Sequence, residues 1–333
     1  MTHHRLFGRL VPVELAAAII LTAAACFSFV GHAHATDVPG PLVDVDWLKT
    51  NLDQPDLVVL DTRGEADGSD PYAEGHIPGA VHAPYPGGWR ATRDGVPGQL
   101  PELSALEKHI GSLGISGDET IVIVPAASSS SEFGGATRIY WTLKLAGLDH
   151  LAILNGGYRA WNADPSTTLA TDTPEIAAAD FKAQLRPQLL VSSDDVRSHL
   201  DDGSTVLLDG RPAEQFKGKE KHPAAKRFGH LPGAVNLDQS VFFDPATGKL
   251  VPQTVATSLL PEAAAQSKAE VVSYCNTGHW ASMNWFVLSE VLGHKNVTLY
   301  DDSMVGWTEN PDNPVESERS RLDDIKAWWN GNG

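Results

Sequence analysis

The hexapeptide Gly75-His76-Ile77-Pro78-Gly79-Ala80 returns as Gly229-His230-Leu231-Pro232-Gly233-Ala234. This duplication constrains the fold more than any other feature, because an internal repeat implies one structural unit used twice. The flanking segments repeat in the same order. Upstream lie Leu60-Asp61-Thr62-Arg63 and Leu208-Asp209-Gly210-Arg211. Downstream, Ile121-Val122-Ile123-Val124 matches Val271-Val272-Ser273-Tyr274, each followed by a loop and an apolar helical pattern. Both halves finish on an aliphatic strand, residues 152–154 and 297–300, with a tryptophan seven residues beyond it at Trp161 and Trp307.

Each half therefore reads strand, helix, strand, turn, helix, strand, loop, helix, strand. That alternation predicts an α/β fold of two tandem domains, each a parallel sheet with helices on both faces and ligands at the carboxyl ends of the strands. A length of 333 residues suits two domains. The expected division is a first domain at 36–165, a linker at 166–187 rich in Ala, Thr, Asp and Pro, a second domain at 188–320 and a tail at 321–333. The Pro-Gly pairs of the hexapeptide read as turns that aim the chain into the next strand.

Chemistry concentrates in residues 271–282. Val271, Val272 and Tyr274 read as a buried strand that Cys275 closes, and a helical pattern from Ala281 and Ser282 carries Trp285, Phe286, Leu288, Val291 and Leu292. In a strand-loop-helix geometry the amides from Asn276 to Ala281 can turn inward and stabilise a thiolate at Cys275, with help from the helix dipole. The alternative is a small, inert, buried cysteine.

The amino terminus sharpens the choice. Arg5 and Arg9 precede an apolar stretch at 13–30, and Ala33-His34-Ala35 offers a cleavage site. Residues 1–35 thus read as a secretory signal peptide, and the mature protein as periplasmic or secreted. A retained membrane anchor and a lipoprotein acylated at Cys26 are weaker alternatives. Cleavage would remove one of the two cysteines and leave Cys275 as the single thiol of an exported protein. Exported proteins normally pair their cysteines, so a solitary one points to catalysis. Cleavage would also leave 23 basic against 41 acidic residues, a formal charge of −18. Such acidity argues against nucleic acid as a partner, and after cleavage no membrane partner is expected. No metal-ligand spacing or phosphate loop is present in the sequence, so no cofactor is expected.

An Asp-x-Arg strand end, Gly-His-Ile/Leu-Pro-Gly-Ala, and a cysteine loop before a helix, all duplicated, resemble the tandem-domain rhodanese family of sulfurtransferases. The resemblance runs from about Leu42 to Trp307. It implies that Cys275 is the catalytic residue and that the first domain is a degenerate copy contributing to the cleft. Pro125 stands at the position of Cys275, and the loop after it, read as residues 126–135, is longer. Proline offers neither N–H nor nucleophile, so the first half is expected to be inactive.

The implied reaction moves sulfane sulfur from a donor (thiosulfate, mercaptopyruvate or a persulfide) through a Cys275 persulfide to a thiol or cyanide acceptor. Asn276, Thr277, Gly278, His279, Trp280 and Ala281 form the expected substrate loop. Trp280 either walls the pocket or packs into the domain interface. The loop departs from relatives that place Arg or Lys after the cysteine, and Gln215 stands where tandem relatives carry a substrate-binding Arg. Both departures remove a fixed cation, which predicts poor use of thiosulfate. Lys217 opens a basic segment at 217–227 that either compensates or is simply solvated. Asp209 and Arg211 are read as structural support, since Asp61 and Arg63 persist in the inactive half. The rival to an enzyme is a sulfur carrier that unloads to a partner protein. A Cys-dependent phosphatase is disfavoured because Ala281 occupies the position of its closing arginine. A serine hydrolase at residues 128–131 lacks a Gly-x-Ser-x-Gly elbow.

Overall fold

The computed structural model of the protein describes residues 1–2, 36–266, 268–320 and 329. The reading of 1–35 as a signal peptide and of 321–333 as a tail falls on residues almost wholly outside these. From Thr36 onward the described residues belong to one compact unit.

That unit contains two five-stranded parallel sheets of the same topology. The first has the spatial order Leu42–Val43, Leu151–Leu154, Thr120–Val124, Leu57–Asp61, Val81–His82. The second repeats it as Leu190–Val191, Val297–Tyr300, Glu270–Tyr274, Thr205–Asp209, Val235–Asn236. The central strands are β-branched and buried on both faces, as parallel strands under helices must be.

The two-residue side-chain period then places Cys275. Val122 and Val124 join an outer cluster with Trp161, whereas Ile121 and Ile123 join the inner core. In the second sheet Val272 and Tyr274 point outward with Trp307, and Val271 and Cys275 point inward. The inner core is one cluster that runs through both halves. Cys275 therefore faces the other half of the molecule.

The halves meet through the helices that follow the central strands, Ser130–Leu145 and His279–Phe286. Both are buried nearly all round, which explains their weak amphipathic pattern. Thr137 Oγ1 and Ser282 Oγ lie 2.8 Å apart across this contact.

Two helix starts differ from the sequence expectation. The second-half helix begins at His279, because Gly278 caps it in the left-handed region at φ 71°. The loop is thus only Cys275 to Gly278, and His279 and Trp280 belong to the first helical turn. The first-half helix begins at Ser130, with the Ser129 hydroxyl accepting the Glu132 amide at 3.2 Å. Gly134 and Gly135, which suggested a floppy loop, lie inside this helix. Gly135 is there for close approach, since a Cβ would come within 3.1 Å of the Tyr85 ring, whereas at Gly134 a Cβ would meet the His279 ring at an ordinary 3.4 Å.

Two short hairpins that the sequence did not signal reach across reciprocally. Ala91–Arg93 with Val96–Gln99 extends to the loop after strand Val297–Tyr300, where the Leu100 amide donates to Asp301 Oδ2 at 2.7 Å. Phe243–Asp244 with Lys249–Leu250 extends to the matching loop of the first half, where the Leu250 amide donates to Asn155 Oδ1 at 3.0 Å.

Candidate active site

The repeated Asp-x-Arg ends form the same brace twice. Arg211 holds Asp209 at 2.6 Å and donates to the Gly229 carbonyl at 2.8 Å, tying the strand end to the hexapeptide. Arg63 does the same with Asp61 at 2.6 Å and Gly75 at 2.7 Å. Burial alone would lower the Arg211 pKa, but Asp209 beside it leaves it raised. Both pairs are buried and fully engaged, a scaffolding geometry.

On that scaffold the Cys275 loop is fixed mainly by its backbone. The Ser303 hydroxyl accepts the amides of Cys275 and Gly278, each at 3.1 Å, and donates to the Tyr300 carbonyl at 2.8 Å. The amides of Met304 and Val305 donate to the carbonyls of Cys275 and Asn276 at 3.1 and 3.0 Å. This corrects one expectation. The Gly278 amide, counted among those aimed at sulfur, is directed to Ser303 instead.

Cys275 is buried yet contributes to the wall of a cavity of about 350 Å³. Asn276, Thr277, His279 and Trp280 line it, together with His222, Tyr85, Pro86, Arg90, Ser131 and Glu132. Five of these come from the first half. Gln215 stands outside the lining and accepts from Asn276 Nδ2 at 2.8 Å, so it orients a loop side chain. Gly278 and Ala281 also stand outside it; Ala281 is buried, and its carbonyl accepts from Ser273 Oγ at 2.9 Å.

The basic segment behaves differently from a cationic rim. Lys217 does not line the cavity, and its carbonyl accepts the Glu318 amide at 3.0 Å. Lys221 donates to the Ala225 carbonyl at 2.8 Å, and Arg227 to the Asn313 carbonyl at 2.6 Å. The segment thus binds its own domain, and the side chain it sends to the cavity is His222.

The first half supplies what the sequence comparison left out. Arg90 donates through Nε to the Gly98 carbonyl at 2.9 Å and through Nη2 to the Thr277 carbonyl of the Cys275 loop. Arg138, fully buried, pairs with Asp301 at 2.5 Å and donates to the Gly278 carbonyl at 3.1 Å. The His279 ring is held between two hydroxyls, Tyr85 at 2.8 Å from Nδ1 and Ser131 at 3.1 Å from Nε2. Burial, then Arg90 and Arg138, push its pKa down to about 3, so it is a neutral wall at physiological pH. Trp280 lines the cavity and directs Nε1 to Ser131 Oγ of the first half at 3.4 Å.

A cavity of about 420 Å³ lies beside the matching strand end of the first half, lined by residues that include Arg63, Ser128 and Tyr158. Pro125 ends that strand, so it has no thiol. Among the described residues no group of His, Cys, Asp and Glu could hold a metal ion.

Comparison with known proteins agrees with this architecture. The description Rhodanese-like domain matches residues 44–164 and again 192–310. Thiosulfate sulfurtransferase of Azotobacter vinelandii is 31% identical over 270 residues, covering 81% of this chain and 94% of its own. The Pseudomonas aeruginosa thiosulfate sulfurtransferase is 30% identical over 271 residues, with the same coverage of 81% and 94%. Among solved structures, a 3-mercaptopyruvate sulfotransferase of Escherichia coli superposes with a TM-score of 0.68 at 25% identity, covering 79% of this chain and 98% of the other.

Proposed function

Because the chain belongs to the rhodanese family and is a sulfurtransferase, we propose that it works through a persulfide on Cys275, after export from the cytoplasm. The observation that carries the mechanism is the position of Cys275: a free cysteine at the end of a central strand, in the wall of a cavity built by both halves.

The step balances simply. The Cys275 thiolate attacks the outer sulfur of the donor, a new S–S bond forms, and the bond to that sulfur in the donor breaks. The electron pair leaves with the remainder of the donor, as sulfite from thiosulfate. A thiol or cyanide then takes the sulfur and restores the thiolate. The cavity suits small donors and acceptors, and its apolar walls of Tyr85, Pro86 and Trp280 favour organic ones. Arg90 shares the cavity lining with Cys275 and supplies one cation where two were expected to be missing, which still favours a singly charged organic sulfane over a dianion. Each missing charge-assisted hydrogen bond costs about 1.5–3 kcal/mol, roughly tenfold to a hundredfold in kcat/KM.

The test is steady-state turnover with thiosulfate, mercaptopyruvate and glutathione persulfide as donors and cyanide and thiols as acceptors. Turnover with at least one organic donor, exceeding that with thiosulfate, supports this reading. A single loading without turnover would instead mark a carrier.

A further inference from the structure

Arginines near the cavity differ in what neutralises them. Arg63 pairs with Asp61, Arg211 with Asp209 and Arg138 with Asp301. Arg90, the arginine in the lining of the Cys275 cavity, has no such partner. Its guanidinium is held by two uncharged carbonyls, Gly98 and Thr277, and among the described residues no carboxylate pairs with it. An arginine has five N–H donors, so donors remain after these two bonds, in a planar fork matched to a carboxylate. The guanidinium is also locked in place. A Cβ at Gly98 would lie 1.9 Å from Arg90 Nη2, so glycine is needed there to admit it. Its charge is felt in the cavity: after burial, Arg90 is the next largest cause lowering the pKa of His222 and of His279. The lining carboxylate, Glu132, is exposed and accepts the Ser128 amide at 2.8 Å. Arg138, which also touches the loop, is paired with Asp301, so Arg90 is the lining arginine with no carboxylate partner among the described residues.

We propose that Arg90, contributed by the catalytically inactive half, is the specificity-determining residue that binds the anionic end of the sulfur donor. The assignment rests on Cys275 as the reacting thiol. It gives the degenerate domain a direct role: it supplies the cation that the catalytic loop lacks. The bond to the Thr277 carbonyl fixes that cation relative to Cys275, two residues earlier in the chain. The donor class it selects is a small organic sulfane bearing a carboxylate.

Alkylation of Cys275 reads this charge without any sulfur chemistry. The thiolate attacks the methylene carbon of iodoacetate or iodoacetamide, a C–S bond forms and iodide leaves, and the two probes differ chiefly in one negative charge. The rate ratio of iodoacetate to iodoacetamide in the native full-length protein is compared with the same ratio for the protein in denaturant. Arg90 within reach of the probe predicts an enrichment of roughly tenfold, from Coulomb attraction at a partly buried site. Arg90→Gln should remove most of this enrichment, read as the ratio of the two probes whatever happens to their absolute rates, and Arg90→Lys should keep part. A general loosening of the loop would move both probes alike. An unenriched native ratio, or an enrichment that survives Arg90→Gln, overturns the proposal. If Arg90→Gln does not fold, the native-to-denatured comparison still decides. Failure of the persulfide mechanism would leave this ratio unchanged, so the two are separable.

Discussion

The hydroxyl of Ser303 lies 3.1 Å from the amide nitrogen of Cys275 and accepts its hydrogen bond. The same oxygen accepts the Gly278 amide, so one side chain closes the four-residue loop at both ends. Ser303→Ala orphans two buried N–H groups at about 1–3 kcal/mol each. A loss of roughly 2–5 kcal/mol in urea unfolding is expected, with kcat reduced more than KM. A variant as stable and as active as the parent would contradict this account of the loop.

Gly278 tests the same loop from the backbone. Its φ is 71°, and a Cβ would sit 2.4 Å from Arg138 Nη1 and 2.8 Å from Asp301 Oδ1. Left-handed backbone alone costs an alanine about 1–2 kcal/mol. Displacing a buried ion pair adds to that. Gly278→Ala should therefore lose more stability than the backbone term, and its turnover should fall with it. Thermal unfolding within a degree of wild type would show that the loop can relax.

His279 makes a pH prediction of fixed sign. Its value falls to about 3 in the fold against 6.5 for an ordinary histidine. Between those values the unfolded chain binds a proton that the native state does not, so stability rises with pH. The contribution is fully present above about 6.5 and is lost progressively as pH falls towards 3, with a slope of at most about 1.4 kcal/mol per pH unit. Urea unfolding of wild type and His279→Gln from pH 4 to 7 should show a shallower acid limb in the variant. Parallel curves would mean that His279 is not held neutral.

The sheets, the helices and the inward-facing position of Cys275 were legible in the sequence because they rest on local periodicity. Alternation along Glu270–Tyr274 orients Cys275, and duplication gives the topology of both halves. The helix start was misplaced because Gly278 was grouped with the loop through Ala281, when its left-handed conformation is a cap. More was missed across the interface. Aligning the halves compares each residue with its counterpart and says nothing of contacts between the halves, so the parts played by Arg90, Tyr85, Ser131 and Arg138 were missed. Their contacts with Thr277, His279 and Gly278 span 140 to 194 residues. The hairpin holding Arg90 is too short to leave a strand signal. The basic segment misled for the opposite reason: its charge is conspicuous in sequence, whereas its donors turn to carbonyls of its own domain.

The persulfide itself is the most direct test. Intact protein is incubated with a sulfane donor, freed of excess donor and weighed by mass spectrometry. Wild type should gain the mass of one sulfur atom and lose it again on exposure to cyanide, with thiocyanate appearing in step. Cys275→Ser should gain nothing. A sulfur adduct that persists in Cys275→Ser, or a wild-type protein that turns over donor with no adduct on Cys275, would contradict the mechanism.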